Sequence, residues 1–231
     1  MRALLLAAGL GTRLRPLTDT IPKCLVPING KPLLYYWLAI LNDAKVKPIL
    51  VNLHYFADKV ADYIKASEFN SIVQAVYEEE LLGTAGTLLK NKDFFEEETL
   101  MLVHADNISK FNVSDFIEHH KNRPADCEIT MMTFSASTPE TCGIVELDEQ
   151  GVVKAFYEKA LNPPGNLANG AVYILEPSIF RFLEGLGKEI IDFSTEVLPH
   201  FIGRIYTFHN DLYHRDIGTI ESYEQALKDL K

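Results

Sequence analysis

A loop rich in glycine and arginine follows the first apolar run of the chain. The run from Ala3 to Ala8 has the composition of a buried strand, and Gly9, Gly11, Thr12 and Arg13 come soon after it. Glycine lets the backbone approach a ligand closely, and successive backbone N–H groups in such a turn form a concavity for anions. Arginine adds a planar cation that suits phosphate oxygens. The loop therefore predicts phosphate binding.

The common phosphate-binding fingerprints do not describe this loop. A dinucleotide fingerprint would need a third glycine at the position of Leu14, and a P-loop would need Gly-Lys-Ser/Thr after a four-residue spacer. A bare Gly-x-Gly also occurs in ordinary turns between a strand and a helix. From the glycines alone, both interpretations stay open.

Two aspartates are candidates for holding a metal ion. Asp106 follows an apolar run that ends at Val103, and Asp216 lies near the end of the chain. Mg²⁺ takes few carboxylates and leaves positions for water and phosphate oxygens, so one ion could join these two acids. His104 and His214 each precede an acid by two residues, which leaves open a His/Asp site for a transition metal. For Asp106 alone, the alternative is a turn-forming aspartate before an asparagine.

Two more segments carry residues that could bind a ligand. Glu158 and Lys159 follow an expected strand, although such a pair is usually solvated surface. Gly83 and Thr84 follow the acidic run Glu78 to Glu80, and backbone groups in such a loop can read the edge of a base. The alternative for the second segment is a helix N-terminus made of small residues.

The longer string around the first loop is much more specific than its glycines. Gly-x-Gly-Thr-Arg-Leu-x-Pro-Leu-Thr, from Gly9 to Thr18, is followed by Pro22-Lys23. This string resembles the signature of the sugar-1-phosphate nucleotidylyltransferases, also called NDP-sugar pyrophosphorylases. Further segments similar to that family follow in the correct order, namely Leu82-Gly83-Thr84-Ala85-Gly86, Ala105-Asp106, Glu158-Lys159, Asn169-Gly170 and Asp216-Ile217-Gly218-Thr219. The resemblance covers nearly the whole chain.

The chain departs from the family pattern beside three of these motifs. Ala105 stands where glycine is usual, Ala160 replaces a proline, and His214 replaces a tryptophan. Gly170 and Ala171 also appear in exchanged order relative to the family. None of these departures removes a charged group that the resemblance places in the site.

The resemblance implies a role for each candidate. Arg13 would stabilise the leaving pyrophosphate, Lys23 would neutralise the α-phosphate or the attacking group, and Asp106 and Asp216 would hold Mg²⁺. The residues implied in nucleotide binding are Leu6, Ala8, Gly9, Gly11, Thr12, Gly83, Thr84 and Asp106. The residues implied in binding the sugar phosphate are Gly143, Glu158, Lys159 and Asn169.

The implied reaction is nucleotidyl transfer from an NTP to a sugar 1-phosphate, which gives an NDP-sugar and pyrophosphate. The glutamate-rich segment that ends in Leu-Gly-Thr-Ala-Gly is most like the guanylyltransferase branch, so we expect GTP and a mannose- or heptose-type sugar. The alternatives are a UTP- or dTTP-dependent glucose-1-phosphate enzyme, a cytidylyltransferase acting on an alcohol phosphate, and a non-catalytic regulatory subunit.

The composition of the chain indicates which classes of partner and which cellular compartment to expect. The 231 residues carry a formal net charge of −10 and no basic tract, which disfavours a nucleic-acid-binding protein. No apolar stretch reaches the roughly 18 residues of a membrane span. The three cysteines lack paired or metal-ligand spacing, so we expect free thiols and a cytoplasmic location. The substrates are then small molecules, and homo-oligomerisation stays open.

The elements that must position these residues alternate between strands and helices in the first half. Strands are expected at Ala3–Ala8, Pro48–Leu53, Ser71–Tyr77 and Thr99–Val103, and helices at Pro32–Ala44, Ala57–Ala66, Leu82–Leu89 and Asn112–Lys121. This alternation predicts an α/β, Rossmann-like, doubly wound and mostly parallel sheet. Ligands of such sheets bind beyond the carboxyl ends of the strands, where Gly9 and Asp106 would lie.

The second half is expected to form a mixed sheet. Short strands are expected at Glu128–Phe134, Gly143–Leu147, Val152–Tyr157, Ala171–Leu175 and Ile205–Phe208, with a hairpin turn at Asp148–Gly151. Helices are expected at Ser178–Leu183, Ser194–Phe201 and Ile220–Leu230. We expect a single domain over residues 1–231, with a nucleotide-binding half at about 1–125 and a sugar-binding half at 126–231.

Overall fold

The fold is α/β, as the sequence predicts, in a computed structural model that describes residues 1–230. The strands are β1 (Arg2–Leu6), β2 (Pro27–Ile28), β3 (Lys31–Pro32), β4 (Ile49–Leu53), β5 (Val73–Tyr77), β6 (Leu100–His104), β7 (Asn107–Lys110), β8 (Ile129–Ser135), β9 (Gly143–Leu147), β10 (Val153–Glu158), β11 (Leu167–Leu175), β12 (Ile205–His209) and β13 (Tyr213–Asp216). The α-helices are α1 (Leu33–Asp43), α2 (Ala57–Ala66), α3 (Gly83–Lys90), α4 (Val113–Lys121), α5 (Ser178–Gly185) and α6 (Ile220–Asp229). Within residues 1–230, no helix has both the length and the apolar character needed to cross a bilayer.

The chain forms two compact units whose segments interleave along the sequence. Unit 1 contains Met1–Leu81, Val103–Lys110 and the segment that begins at Tyr213. Unit 2 contains Leu82–Leu102 and Phe111–Leu212. Neither unit corresponds to one continuous stretch, because the chain passes between them several times. The assignment of nucleotide and sugar binding to two halves stays a prediction.

Unit 1 is built on the parallel strands β1, β4 and β5. Leu5 pairs with Val51, and Val51 pairs with Ala75, so β4 lies between the other two strands. Strand β1 ends two residues earlier than predicted. The reason is that the Ala7 N–H leaves the strand ladder and donates a 2.8 Å hydrogen bond to Asn52 Oδ1. The loop that follows β1 therefore begins at Ala7.

Helix α1 shows how an apolar face anchors unit 1. Its buried residues recur at helical spacing and are Leu33, Leu34, Trp37, Leu38 and Leu41. The Trp37 Nε1–H also donates a 2.8 Å hydrogen bond to the backbone oxygen of the first residue of β7. Packing and this buried hydrogen bond together fix α1 against the segment that follows Asp106.

The antiparallel pair β7–β13 was not expected from the sequence. Asp216 pairs with Asn107, and Arg215 pairs with Ile108, so the end of β13 lies beside the start of β7. The Ile217 N–H extends this contact with a 3.1 Å hydrogen bond to the Asp106 backbone oxygen. These strands have only four residues each and mix polar with apolar side chains, so they lack a clear strand pattern.

Unit 2 contains the predicted mixed sheet. Strands β8 and β12 are parallel, whereas β8 with β11, β9 with β11, and β9 with β10 are antiparallel. The predicted turn before β10 is present, with Gly151 at φ 80. The helix expected at Ser194–Phe201 is wrong in type: a π-helix at Phe193–Val197 is followed by a 3-10 helix at Leu198–Phe201. A proline near the start of the second segment prevents a continuous α-helix.

The thiols are free, as predicted. Cys24 and Cys127 are buried, and Cys142 is partly buried. Burial raises the pKa of the Cys24 thiol to about 12, because an apolar environment disfavours the thiolate. The Cys24 side chain therefore acts as a small apolar group in the core.

Candidate active site

Side chains from neighbouring segments of unit 1 hold the loop that follows β1. Asn52 accepts the Ala7 N–H, as described above, and Thr18 Oγ1 donates a 2.7 Å hydrogen bond to the Gly11 backbone oxygen. Gly11 has φ 62, and a Cβ there would lie 2.9 Å from Thr18 Cγ2. Both the backbone conformation and the lack of space therefore require glycine at this position.

Five residues predicted to bind nucleotide lie at the end of β1 and in the loop that follows it, in unit 1. Leu6 ends β1, and Ala8, Gly9, Gly11 and Thr12 follow it in the loop. Gly9 and Thr12 are exposed, and a Cβ added to Gly9 would meet nothing within 4 Å. The loop thus offers accessible backbone at the carboxyl end of a parallel strand. Nucleotide binding by these residues stays a prediction.

Lys23, Asp106 and Asp216 meet in unit 1. Lys23 Nζ lies 2.9 Å from Asp106 Oδ2 and 3.2 Å from Asp216 Oδ1. The lysine side chain is only 8% exposed, whereas the two aspartates are 46% and 56% exposed. The ammonium group therefore contacts both acids from the protein side, and the carboxylates face solvent.

The two carboxylates differ in their pKa. Although solvent reaches both, the surrounding protein weakens their hydration and so favours the protonated forms. At Asp106, the positive charges of Lys23 and His104 outweigh this effect and hold the pKa below its usual range. At Asp216, the same loss of hydration outweighs the Lys23 charge and, with the nearby Asp106 carboxylate, raises the pKa.

Arg13 lies close to this pair of acids. A Cβ added to Gly218 would lie 3.2 Å from Arg13 Nη2 and would collide with Asp216 Oδ2. The positive charge of Arg13 also opposes the rise in the pKa of Asp216. The structure thus brings together four residues that sequence analysis predicted from three separate motifs: Arg13, Lys23, Asp106 and Asp216.

The donor set at this cluster fits Mg²⁺. Asp106 and Asp216 supply two carboxylates, and Mg²⁺ commonly keeps water and substrate phosphates as its other ligands. No group of three or more His, Cys, Asp and Glu residues in the described chain is arranged to hold a metal ion. His214 Nδ1 lies 2.6 Å from Ser109 Oγ, and burial lowers the pKa of His214 to about 3, so its imidazole is neutral. The described residues therefore contain no three-ligand cluster that would support the alternative of a transition-metal site made of histidine and aspartate.

Gly83 and Thr84 lie at the start of α3 in unit 2. The N–H groups of Ala85 and Gly86 donate to the Ile191 backbone oxygen at 2.9 and 3.2 Å. Thr84 Oγ1 accepts a 2.7 Å hydrogen bond from a backbone N–H of the same neighbouring segment. These helix N-terminal donors are thus already satisfied within the protein. Base recognition would therefore have to use Gly83 or other backbone groups of this segment, and it stays a prediction.

Gly143, Glu158 and Lys159 lie together in unit 2. Glu158, the last residue of β10, pairs with Gly143, the first residue of β9. A Cβ at Gly143 would lie 2.8 Å from Glu158 Oε2 and 2.7 Å from Phe156 Cζ, so glycine leaves room for both side chains. Lys159 has φ 48 and is exposed, with its Nζ 3.4 Å from Glu158 Oε1. The predicted sugar-phosphate pair is therefore accessible.

Asn169 is fixed by two hydrogen bonds in unit 2. Its Nδ2 donates to Tyr173 Oη at 2.7 Å, and its Oδ1 accepts from the Ala171 N–H at 2.9 Å. Ala171 has φ 53, and the register of β11 with β8 shifts between Asn169 and Tyr173. Tyr173 also experiences the negative charge of Glu158, so Asn169 belongs to the neighbourhood of the glutamate. The register shift in β11 is a β-bulge, and a bulge turns a side chain away from the regular direction of the strand.

Several candidates escaped the sequence analysis. Asn52, which holds the loop, and Glu78, which accepts a 3.3 Å hydrogen bond from Asn52 Nδ2, are both buried. Thr18 and Tyr173 support the loop and Asn169 in the same manner. A polar residue inside the apolar stretch Ile49–Leu53 was the available signal for Asn52.

The chain is similar in sequence and fold to known nucleotidyl transferases. The family model described as nucleotidyl transferase matches residues 2–231. A mannose-1-phosphate guanyltransferase of Schizosaccharomyces pombe is 30% identical, over 96% of this chain and 62% of that protein. A UTP–glucose-1-phosphate uridylyltransferase of Synechocystis is 28% identical, over 99% of this chain and 63% of that protein. The chain thus spans less than two thirds of the length of these relatives.

A solved structure is similar over its full length. HddC from Yersinia pseudotuberculosis, in complex with GMP-PN, aligns with a TM-score of 0.83 and 29% identity. The alignment covers 100% of this chain and 99% of that one. Sequence match, fold and the clustered motif residues agree, and the chain belongs to the nucleotidyl transferase family, in agreement with its resemblance to the sugar-1-phosphate nucleotidylyltransferases.

Proposed function

We propose that this protein transfers a guanylyl group from GTP to a mannose- or heptose-type sugar 1-phosphate, with Mg²⁺, to give an NDP-sugar and pyrophosphate. The observation that carries the proposal is the cluster of two cations and two carboxylates in unit 1. Lys23 Nζ contacts both acids, and Arg13 lies beside Asp216. Such a cluster suits a reaction between two phosphate-bearing substrates.

The transfer needs positioning and charge stabilisation more than covalent chemistry. The phosphate of the sugar attacks the α-phosphorus, the bond to pyrophosphate breaks, and pyrophosphate leaves with the electron pair. Arg13 binds the leaving group, and Lys23 neutralises the α-phosphate or the attacking group. The attacking phosphate is already ionised, so no general base is required. Fixed cations at the developing charges account for most of the expected acceleration.

Asp106 and Asp216 are the residues that would hold Mg²⁺. When bound, the ion supplies Lewis-acid neutralisation of phosphate oxygens. The protein contributes Asp216 at the end of β13 and Asp106 directly before β7, where the Asp106 backbone oxygen accepts from the Ile217 N–H, and both side chains face solvent. This donor set leaves most of the coordination positions to substrate oxygens and water.

The sugar phosphate is proposed to bind in unit 2. Lys159 would hold the phosphate, and Glu158 would accept hydrogen bonds from sugar hydroxyl groups. Asn169 is supported by Tyr173 at 2.7 Å and would present its amide to the sugar. Gly143 would keep the space that Glu158 occupies.

The carboxylate of Glu78 supports guanine as the base. Glu78 as a whole residue is 6% exposed, and its Oε1 is buried without a hydrogen-bond partner in the described residues. A buried acceptor without a donor is costly, which favours a ligand that brings donors. Guanine offers N1–H and N2–H₂ side by side, whereas uracil and thymine offer one N–H between two carbonyl oxygens. Because Oε1 is shielded, the residues that cover it must move aside for this contact.

A second candidate is the UTP-dependent glucose-1-phosphate reaction. The similarity to the uridylyltransferase of Synechocystis favours it, at 28% identity over 99% of this chain. That reaction would use the same cations and acids and would differ in the base and the sugar. The cytoplasm, where nucleoside triphosphates are made, is the proposed location for either reaction.

The proposal is tested by pyrophosphate release in the presence of Mg²⁺. GTP, UTP, dTTP, CTP and ATP are each combined with mannose, glucose and heptose 1-phosphates and with phosphocholine. The highest kcat/KM is expected for GTP with mannose or heptose 1-phosphate. A preference for UTP with glucose 1-phosphate would establish the second candidate. Nucleotide binding without pyrophosphate release would point to a regulatory subunit.

Two variants distinguish selection of the base from binding of the sugar 1-phosphate. Glu78→Gln is expected to lower kcat/KM for GTP and to reduce the ratio of kcat/KM for GTP to kcat/KM for UTP. The reason is that a glutamine amide does not match the two adjacent donors of guanine, N1–H and N2–H₂. Lys159→Met is expected to raise the KM for the sugar 1-phosphate and to leave the order of the five nucleotides unchanged. An unchanged GTP to UTP ratio in Glu78→Gln would exclude Glu78 from base selection.

A further inference from the structure

The position of Lys23 bears on when the metal ion can bind. Its Nζ lies 2.9 Å from Asp106 Oδ2 and 3.2 Å from Asp216 Oδ1, which are the two acids of the proposed Mg²⁺ site. One ammonium group thus occupies the space between the two carboxylates and uses one oxygen of each. A cation at this place offers charge compensation that a metal ion would otherwise supply.

The burial of the three side chains sets the direction from which each partner arrives. Lys23 is 8% exposed and lies beneath the acids, which are 46% and 56% exposed. Lysine carries three donors on a compact head group, so it can satisfy both carboxylates at once. Solvent-side oxygens remain accessible to a metal ion, but the ammonium group already balances one of the two negative charges that such an ion would meet.

Two carboxylates that are partly neutralised bind a divalent ion weakly. Mg²⁺ gives up its hydration reluctantly and usually binds through one or two carboxylates together with phosphate oxygens. Among the described residues, no third His, Cys, Asp or Glu completes a metal cluster here. A triphosphate can supply both the additional oxygen ligands and the additional negative charge that the metal ion needs.

We infer that Lys23 suppresses metal binding to the nucleotide-free protein, so that the divalent ion enters together with the nucleotide. Lys23 holds Asp106 and Asp216 together until then. When the triphosphate arrives, the ammonium exchanges its contact with the acids for one with a phosphate oxygen, and the acids become available to the ion. This inference rests on the proposed function for the identity of the site, and it adds an order of binding.

Metal binding without nucleotide tests the inference directly. Mn²⁺ is the probe, because its binding can be followed by electron paramagnetic resonance and calorimetry. Lys23→Met removes the charge at similar length and is expected to tighten Mn²⁺ binding at least about ten-fold, through the loss of one nearby positive charge. Lys23→Arg keeps the charge and is expected to bind Mn²⁺ as weakly as the unmodified protein. Equal or weaker binding by Lys23→Met would overturn the inference.

Controls separate a local effect from a general one. Lys31 is exposed, and its Nζ lies 4.0 Å over the Tyr35 ring. Lys31→Met removes the same charge from unit 1 and should leave Mn²⁺ affinity within about two-fold, because exposed charges are screened. Tightening by Lys31→Met as large as that by Lys23→Met would overturn a specific role for Lys23.

The unmodified protein provides a test that does not depend on the folding of a variant. Mn²⁺ should bind at least about ten-fold more tightly in the presence of a GTP analogue with a methylene bridge between the α- and β-phosphates. Equally tight binding without the analogue would overturn the inference and leave the proposed reaction intact. If Asp106→Asn and Asp216→Asn, both shown to be folded, retain full Mn²⁺ binding with the analogue, the metal assignment of the proposed function fails instead.

Discussion

Gly218→Ala should reduce catalysis without unfolding the protein. The Cβ of alanine would collide with Asp216 Oδ2 and lie 3.2 Å from both Asp216 Cγ and Arg13 Nη2. The backbone at Gly218 is outside the positive-φ region, so alanine causes no backbone strain. The colliding atoms are the ends of two side chains, which can move. The substitution therefore displaces an acid and a cation of the cluster rather than the fold.

The expected magnitude follows from that displacement. Moving a carboxylate by about 1 Å costs roughly 10²-fold in rate, or about 2.7 kcal/mol in transition-state stabilisation. Stability should change by less than about 1 kcal/mol, which corresponds to a shift in Tm below about 4 °C for a chain of this size. The assay is kcat/KM for pyrophosphate release, with thermal unfolding measured on the same sample.

Gly165→Ala is the matched control. Gly165 is exposed, lies outside the positive-φ region, and a Cβ there would meet nothing within 4 Å. It should retain the kcat/KM and the Tm of the unmodified protein. If Gly218→Ala also kept full activity, the proposed proximity of Arg13 and Asp216 to the reacting phosphates would be refuted. A loss of activity accompanied by a large fall in Tm would instead mean that the fold had changed.

Three further predictions follow from single residues. Arg13→Ala should lower kcat for pyrophosphate release by roughly 10²–10³, the loss typical of one preorganised charge-stabilising group, and a folded variant with near-normal kcat would contradict this. Ala171→Gly should raise the Tm, because a φ of 53 costs alanine about 1 kcal/mol that glycine avoids, and an unchanged Tm would argue against strain. Burial lowers the pKa of His120 below its ordinary 6.5, so the unfolded state binds more protons and the free energy of unfolding should fall as the pH drops below that value. This pH dependence should weaken in His120→Asn, as measured by urea unfolding.

The regular elements of the fold were predictable because their patterns are long. Helix α2 has the predicted bounds, Ala57–Ala66, since its apolar residues recur at helical spacing. Asn112 begins the predicted helix range and caps α4, accepting hydrogen bonds from Ser114 N and Asp115 N. Four-residue strands such as β7 and β13 give too short a pattern to recognise, and their pairing is a non-local event that local propensity does not contain.

Sequence motifs identified the members of the charged cluster in unit 1, but they did not predict its arrangement. The motifs identified Lys23, Asp106 and Asp216, and the contact of one ammonium group with both acids appears only in the structure. Asn52 and Glu78 carry no motif of their own, because their role depends on a hydrogen bond between two strands. The strained Ala171 was also hidden, since its φ results from the bulge in β11.

The local charges in unit 1 explain how an acidic protein could accept polyanionic substrates. The formal net charge of −10 opposes such ligands, but exposed charges beyond about 8 Å are largely screened at physiological ionic strength. Within the cluster, the two carboxylates are balanced by Lys23 and Arg13, so a triphosphate meets no net negative charge there. In the proposed reaction, a divalent ion that binds with the nucleotide would add positive charge to the cluster at the step in which two phosphates must approach each other. For the proposed reaction, the charges that matter are therefore the few within contact distance of the phosphates, and screening limits the influence of the acidic remainder of the surface.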